Sequence, residues 1–177
     1  AAHGPDLAAI VMEPMRHDAP RDGFLEKVRA IADRLGAALI FDEVTSGWRS
    51  HHGGIHLKRG GNPDGAGVAK AMSNGFPMSA IIGRSSVMEA AHGTFVSSTY
   101  WTESIGPCAA LTTLRLLKET NAVAKLTEIG ELTRNGWRRL GEHHGLKLKV
   151  GGLPALATFS FDHGDDSRAL ITLFTQQ

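Results

Sequence analysis

Short, unbroken apolar runs alternate along the first half of the chain with a helical stripe, and that alternation narrows the fold more than any other feature. "LAAIVME", residues 7 to 13, and "AALIFDEV", residues 37 to 44, are strand-length and apolar at successive positions. Strands of that kind must be covered on both faces, which happens in parallel sheets flanked by helices. Between them, "DGFLEKVRAIADRLG" repeats apolar residues at 24, 25, 28, 31, 32 and 35, with Asp22 placed to cap its start and Gly36 its end. A strand, a crossover helix and a second parallel strand follow. The stretch from Thr45 to Asp64 has no period and reads as a loop of active-site length. Two further short strands are expected at about 65–69 and 78–83, so the class is α/β with a mainly parallel sheet.

The order of elements then changes. "SSVMEAAHG" reads as a short helix, "TFVSSTYWTESIGP" as irregular, and about 104–119 as a helix. "NAVAKLTEIGELTRNGWRRLGEHHG" predicts a longer helix with glycine breaks, and "LKLKVGGLPALATFSF" two strands joined by a Gly-Gly turn. Residues 1–120 are therefore expected to form part of a large domain, and 121–177 a linking helix with the beginning of a small α+β lobe. The first residues lack an initiator Met or a basic leader, and the last stop inside an amphipathic pattern, so a segment of a longer protein is expected.

Bulk properties remove several function classes. With 177 residues and 42% hydrophobic content the chain can bury a real core. A net charge of +1, from 19 basic and 18 acidic residues interspersed, leaves no electrostatic footprint for nucleic acid or an anionic membrane. One cysteine, Cys108, excludes an internal disulfide framework, and a cytoplasmic setting is the default expectation. Cys108 itself, in an apolar helix beside alanines, reads as a buried small hydrophobe.

Ligands of open α/β sheets gather at the carboxyl ends of the strands. Glu13, the pair Asp42 and Glu43, and Lys70 all occupy such ends. In "GVAKAMSNGFPMSAIIG", Lys70 stands between an apolar approach and small residues, where desolvation would favour a neutral, nucleophilic amine. A strand-end aspartate can hold a heteroaromatic nitrogen protonated, with each unit of that shift worth about 1.4 kcal/mol. A Schiff-base lysine with an acidic partner at a pyridine nitrogen is the pair that pyridoxal-phosphate chemistry uses.

Rival motifs are weaker. "GGNPDGAGVAK" lacks the Gly-Lys-Ser/Thr of a phosphate loop. His52 and His56 in "HHGGIH" are four apart but separated by glycines, and read as solvated loop histidines rather than metal ligands. His143 and His144 suit a helix end, and no metal site is expected. Trp48 and Trp101 flank the motifs and are candidates to line a pocket.

"LIFDEVTSGWR", followed 28 positions after its Asp by the Lys of "GVAKAMSNGFPMSAIIGR", resembles the class III pyridoxal-phosphate aminotransferases, and "SSVMEAAHGTFVSSTYWTESIGPCAALTTL" continues the likeness. Within that family the chain looks closest to the glutamate-1-semialdehyde aminomutase-like branch. The resemblance implies part of a fold-type I, aspartate aminotransferase-like large domain that binds pyridoxal 5'-phosphate. It assigns the Schiff-base lysine to Lys70, the pyridine-nitrogen partner to Asp42, the aliphatic residue on the ring face to Val44, and a phosphate contact to Thr102. Thr102 would reach the neighbouring active site of a homodimer. Glu13 matches the family's Glu-Pro strand end and suits a structural role as readily as a catalytic one. The implied reaction moves an amino group between small amino and keto (or aldehyde) compounds with a 1,3-proton shift, as a transaminase or an aminomutase. The first motif here, "EPMRHDAP", and the third, "TESIGP", differ from the family's commoner forms. The N-terminal half of the large domain, which supplies a phosphate turn and a ring-stacking aromatic, has no counterpart. A truncated, non-catalytic piece that keeps the fold and dimer surface is the alternative.

Overall fold

The computed structural model describes residues 6–177; the opening "AAHGP" lies outside the described residues. The chain divides into two compact units, one ending at Val123 and the other spanning Ala124–Gln177.

The first unit is built on a four-stranded sheet. Strand β1 (Ala9–Met12), helix α1 (Phe24–Leu35) and strand β2 (Ala38–Asp42) form the expected crossover, with β1 and β2 parallel. Strand β3 (Gly65–Val68) pairs parallel to β2, and β4 (Ala80–Gly83) runs antiparallel to β3, giving the order β1-β2-β3-β4. The reversal has a chain-length cause. Residues 69–79 contain only a 3₁₀ turn, Lys70–Met72, which is too short for a crossover helix, so the chain returns beside β3 in the opposite sense.

Helix α1 buries Leu25 and Ala32 against Leu39 and Phe41 of β2, with Ile10, Met12 and Val28 packed around them. Phe24 and Ile31 stay exposed, so the buried stripe is narrower than the sequence pattern. Gly36 ends the helix as expected, in the left-handed conformation (φ 64°) that glycine adopts without a Cβ clash. The expected Asp22 cap is not formed. Gly23, at φ 74°, is the residue at the cap position, which leaves Asp22 one step outside it.

The end of the sheet away from the strand carboxyl ends is held by Asp64. Its Oδ2 accepts from the Leu39 amide at 2.8 Å and from Arg29 Nη1 at 2.6 Å, and Arg84 Nη1 lies 3.4 Å from Oδ1. Burial alone would push the Asp64 carboxyl up, but the Leu39 amide and Arg29 together hold it below its ordinary value. One side chain thus ties α1, β2, β3 and the end of β4 together.

Between β2 and β3 the expected loop contains one helical turn, α2 (His56–Arg59). After β4 come α3 (Ser85–Met88), a 3₁₀ turn at Glu89–Gly93, and α4 (Ile105–Glu119). Ala110 of α4 packs with Val68 and Met72, which anchors that helix near the carboxyl end of β3. Cys108 on α4 is exposed, which corrects the expectation of a buried thiol. Periodicity put it in an apolar helix, but the face that packs inward carries Gly106 and Ala110.

Helix α5 (Ala122–His143) runs without a break through three glycines, against the sequence expectation. Two of them answer to packing. A Cβ at Gly130 would run into the Pro154 carbonyl, and one at Gly141 would approach Leu146 O and Leu148 Cδ1 to 3.0 Å. The second unit is completed by β5 (Leu148–Gly151), antiparallel β6 (Thr158–Phe161) and α6 (Ser167–Gln176). The connection between the strands is longer than a Gly-Gly turn and includes a 3₁₀ turn, Pro154–Leu156. Phe159 is its aromatic centre, with ring centroids 5.0 Å from Trp137, 5.7 Å from Phe161 and 5.1 Å from Phe174.

These glycines separate packing from propensity. Nothing lies within 4 Å of a Cβ at Gly136, so Gly136→Ala is expected to stabilise the chain by up to about 1 kcal/mol through helix propensity. Gly130→Ala is expected to destabilise it by about 1–3 kcal/mol despite the same gain, because the Pro154 backbone must move. Urea unfolding followed by far-UV circular dichroism checks both; equal effects of the two substitutions would contradict the packing account.

Candidate functional site

Register collects the strand-end residues. Met12 pairs with Phe41 and Asp42 with Gly67, all in parallel strands, so Glu13, Asp42 and the segment leading to Lys70 lie along one edge of the sheet. Alternation then sorts the two neighbouring carboxylates. Leu39 and Phe41 face α1, and Glu43 continues on their side, fully buried; Asp42 points to the other face and is half-buried.

Glu43 is a structural hub. Its Oε2 accepts from Ser46 Oγ at 2.6 Å and the Ile55 amide at 2.7 Å, and its Oε1 accepts from the His56 amide at 3.0 Å and from His56 Nδ1 at 2.7 Å. Desolvation would push this carboxyl up, yet His56, Ser46 and the two backbone amides hold it below the usual carboxylate range. The approach is close enough to demand glycine nearby, since a Cβ at Gly54 would fall 2.6 Å from Glu43 Oε1. His56 is therefore a partner of Glu43 and not the solvated loop histidine that its sequence context suggested.

Asp42 keeps an acceptor in hand. Oδ1 takes the Val44 amide at 3.0 Å, and that amide is the carboxylate's hydrogen-bond donor among the described residues. Gly67, its neighbour on β3, is open, and a Cβ there would meet nothing within 4 Å. Val44 follows in the turn and is half-buried.

Lys70 opens the 3₁₀ turn after β3 with φ 46°, a left-handed conformation uncommon for a residue with a side chain. Its Nζ donates to Thr45 Oγ1 at 2.9 Å. The side chain is exposed, so these residues do not supply the desolvation that the flanking Ala and Gly had suggested. Ser73, fully buried, closes the following turn by donating to the Phe76 carbonyl at 2.6 Å. Glu13 Oε1 lies 3.4 Å from Arg16, and its Oε2 is buried without a partner among the described residues.

Thr102 is not gathered at this edge by any bond among the described residues. It is exposed in the turn before α4, within a stretch where Phe95 is 94% and Trp101 66% exposed. The arrangement thus brings an amine and a carboxylate to one edge of the sheet, each bonded to a different neutral group. Thr45, Ser46 and His56 escaped sequence reasoning. Ser46 lies three residues after Glu43, a separation compatible with a local hydrogen bond, but no periodicity links Glu43 to a histidine 13 positions on. Among the described residues no cluster of three or more metal-binding side chains occurs, and no helix is long and apolar enough to cross a membrane.

Comparison with known proteins bears on this edge. Residues 1–176 match the model of the family described as aminotransferase class-III. The chain is 32% identical over 167 residues to the 2'-deamino-2'-hydroxyneamine transaminase of Streptomyces kanamyceticus, covering 94% of this chain and 42% of that protein. It is 30% identical over 166 residues to a glutamate-1-semialdehyde 2,1-aminomutase of Sulfurihydrogenibium sp., covering 90% of this chain and 39% of that one. Transaminases and aminomutases thus match at similar identity. The structure of the PLP internal aldimine form of the FumI protein of Sphingopyxis sp. MTA144 superposes with a TM-score of 0.87 at 31% identity, covering 94% of this chain and 41% of that chain. The chain spans about two fifths of the length of these relatives.

The Glu43 hub gives a pH signature. A carboxyl held below its ordinary value when folded contributes stability above its unfolded value of about 4.3, and loses that contribution as pH falls through the lower folded value. Acid unfolding should therefore steepen below about pH 4.3. Glu43→Gln should cost about 2–4 kcal/mol at pH 7 and flatten that dependence, because its NH2 group faces backbone donors. Urea midpoints measured from pH 3 to 7 test it, and an unchanged pH profile in the variant would sink the assignment.

Proposed function

Because the chain belongs to the class-III aminotransferases, we propose that it forms the lysine- and aspartate-bearing part of a pyridoxal 5'-phosphate-dependent transaminase or aminomutase. The observation that carries this reading is the shared sheet edge, with the Lys70 amine and the Asp42 carboxylate offered separately and not paired with each other.

The residues present fit the ring of that cofactor. Asp42 Oδ2 is an acceptor for a protonated ring nitrogen, the open space at Gly67 leaves room beside it, and the exposed Lys70 amine is available to an aldehyde. Val44, next along the turn, is the residue to pack on the ring face. When bound, the cofactor supplies that aldehyde and a cationic ring that takes up the electron pair left at the substrate α-carbon. Lys70 Nζ would hold the cofactor through its aldehyde and, when free, would serve as base and acid, taking the proton from the substrate α-carbon and returning it two bonds away, the 1,3-proton shift. Asp42 would keep the ring nitrogen protonated, and Val44 would pack on the ring face.

Residues 1–120 then belong to the cofactor-binding large domain, and 121–177 to the linking helix and the beginning of the small domain. Thr102 serves the phosphate of a second copy. The exposed Phe95, Tyr100 and Trp101 near it in sequence support burial in such a homodimer, since several large exposed aromatic side chains in one segment suit an interaction surface. Small amino compounds, with keto or aldehyde counterparts, are the substrates.

A second reading, a non-catalytic piece retaining the fold and dimer surface, is favoured by the exposed Lys70 and by the two-fifths coverage of the relatives. One experiment separates the two. Pyridoxal phosphate added to the chain, and to the longest protein that contains it, should give an absorption band that borohydride reduction removes, with the label mapped to Lys70. Lys70→Ala should lose the label and lower amino transfer by about 10²–10⁴-fold. A longer protein that takes no label at Lys70 would overturn the enzymatic reading.

A further inference from the structure

Two oppositely charged groups at one sheet edge would ordinarily attract each other, yet the Lys70 ammonium bonds a hydroxyl while Asp42 Oδ1 bonds an amide. Both ends of the Lys70–Thr45 bond are held in place. On the lysine side, the backbone is in the left-handed region at φ 46°, which a residue with a side chain rarely adopts. It is kept by the turn behind it, in which the Met72 amide donates to the Ala69 carbonyl at 3.2 Å and Met72 and Ser73 are buried. On the other side, Thr45 stands between fully buried Glu43 and Ser46, which bond each other. Its carbonyl takes Arg49 Nη1, and the Gly47 amide closes the turn onto the Glu43 carbonyl at 2.8 Å. A Cβ at Gly47 would lie 2.9 Å from that same carbonyl, so the turn is tight as well as bonded.

We propose that Thr45 is a positioning residue for Lys70: its hydroxyl accepts from the free amine and holds it at the sheet edge, so that Asp42 remains available to a ring nitrogen. The inference rests on reading Lys70 as the reactive amine. A hydroxyl suits the task because it accepts a hydrogen bond without carrying the charge that would make the amine slow to leave. Thr45 itself takes no part in bond making. It acts only on where Lys70 Nζ waits while its covalent position is occupied.

The test uses the 177-residue chain without cofactor, with Lys ε-15N labelling and the Lys70 ammonium signal identified by its loss in Lys70→Arg. Exchange of that ammonium with water should be slower than that of exposed Lys58 and Lys27. It should speed up by at least about threefold in Thr45→Val, the worth of one hydrogen bond, and return to the original rate in Thr45→Ser. The rate at which added pyridoxal phosphate becomes trapped on Lys70 by borohydride should fall by a similar factor in Thr45→Val and recover in Thr45→Ser. If Lys70 exchanges as fast as Lys58 in the unaltered chain, or if Thr45→Val changes neither rate, the proposal is overturned; the first comparison needs no variant to fold. Absence of any trapped label in every form, with slow ammonium exchange intact, would remove the cofactor reading and with it the purpose assigned to Thr45. Rapid exchange with normal trapping would remove Thr45 alone.

Discussion

A carboxylate with no solvent contact is the constraint around which the first unit is organised. Glu43 cannot be buried ionised unless several donors meet it, since burying it without them would cost several kcal/mol. The donors come from Ser46, Ile55 and His56, so the loop after β2 must fold back over the strand end. Val44 and Thr45 lie inside that closed segment. Their placement beside Asp42 and Lys70 is thus a by-product of satisfying Glu43.

The same logic acts at the opposite edge through Asp64, which collects the Leu39 amide and Arg29 where β2 and β3 begin. Two buried or nearly buried carboxylates, one at each end, set how β2 and β3 lie against each other. Register follows, and with it the pairing of Asp42 and Gly67 that leaves open space at the edge. The functional face differs from the packed one by a single position. Phe41 and Glu43 point toward α1, and Asp42 between them points away. Strand pleating lets one tripeptide serve as core, candidate ligand site and hub in turn.

Much of this was legible beforehand, for identifiable reasons. Apolar runs and a helical period report burial directly, so β1, α1 and β2 could be read within a few residues of their ends. Asp42 and Lys70 stood out because a charge directly after a buried run is improbable without a use. Misreadings came where a residue's neighbour is distant in sequence. Gly130 resembled a helix break because Pro154, which it must admit, is far along the chain. His56 resembled a solvent-facing histidine because Glu43 is not visible from its own loop. Cys108 was assigned to the buried side because periodicity gives a helix a stripe but not its rotation against the sheet.

The sequence by itself determined the α/β class, the family and the two chemical groups at the strand ends, since these depend on residue type, short-range period and spacing along one chain. Only the tertiary structure decided that Glu43 is a hub while Asp42 takes a single local amide, that β4 turns back antiparallel, and that Lys70 rests on Thr45 in a left-handed turn. Those outcomes depend on which distant donors and acceptors can reach a buried group at once, and that competition is settled in space by the cost of leaving any of them unpaired.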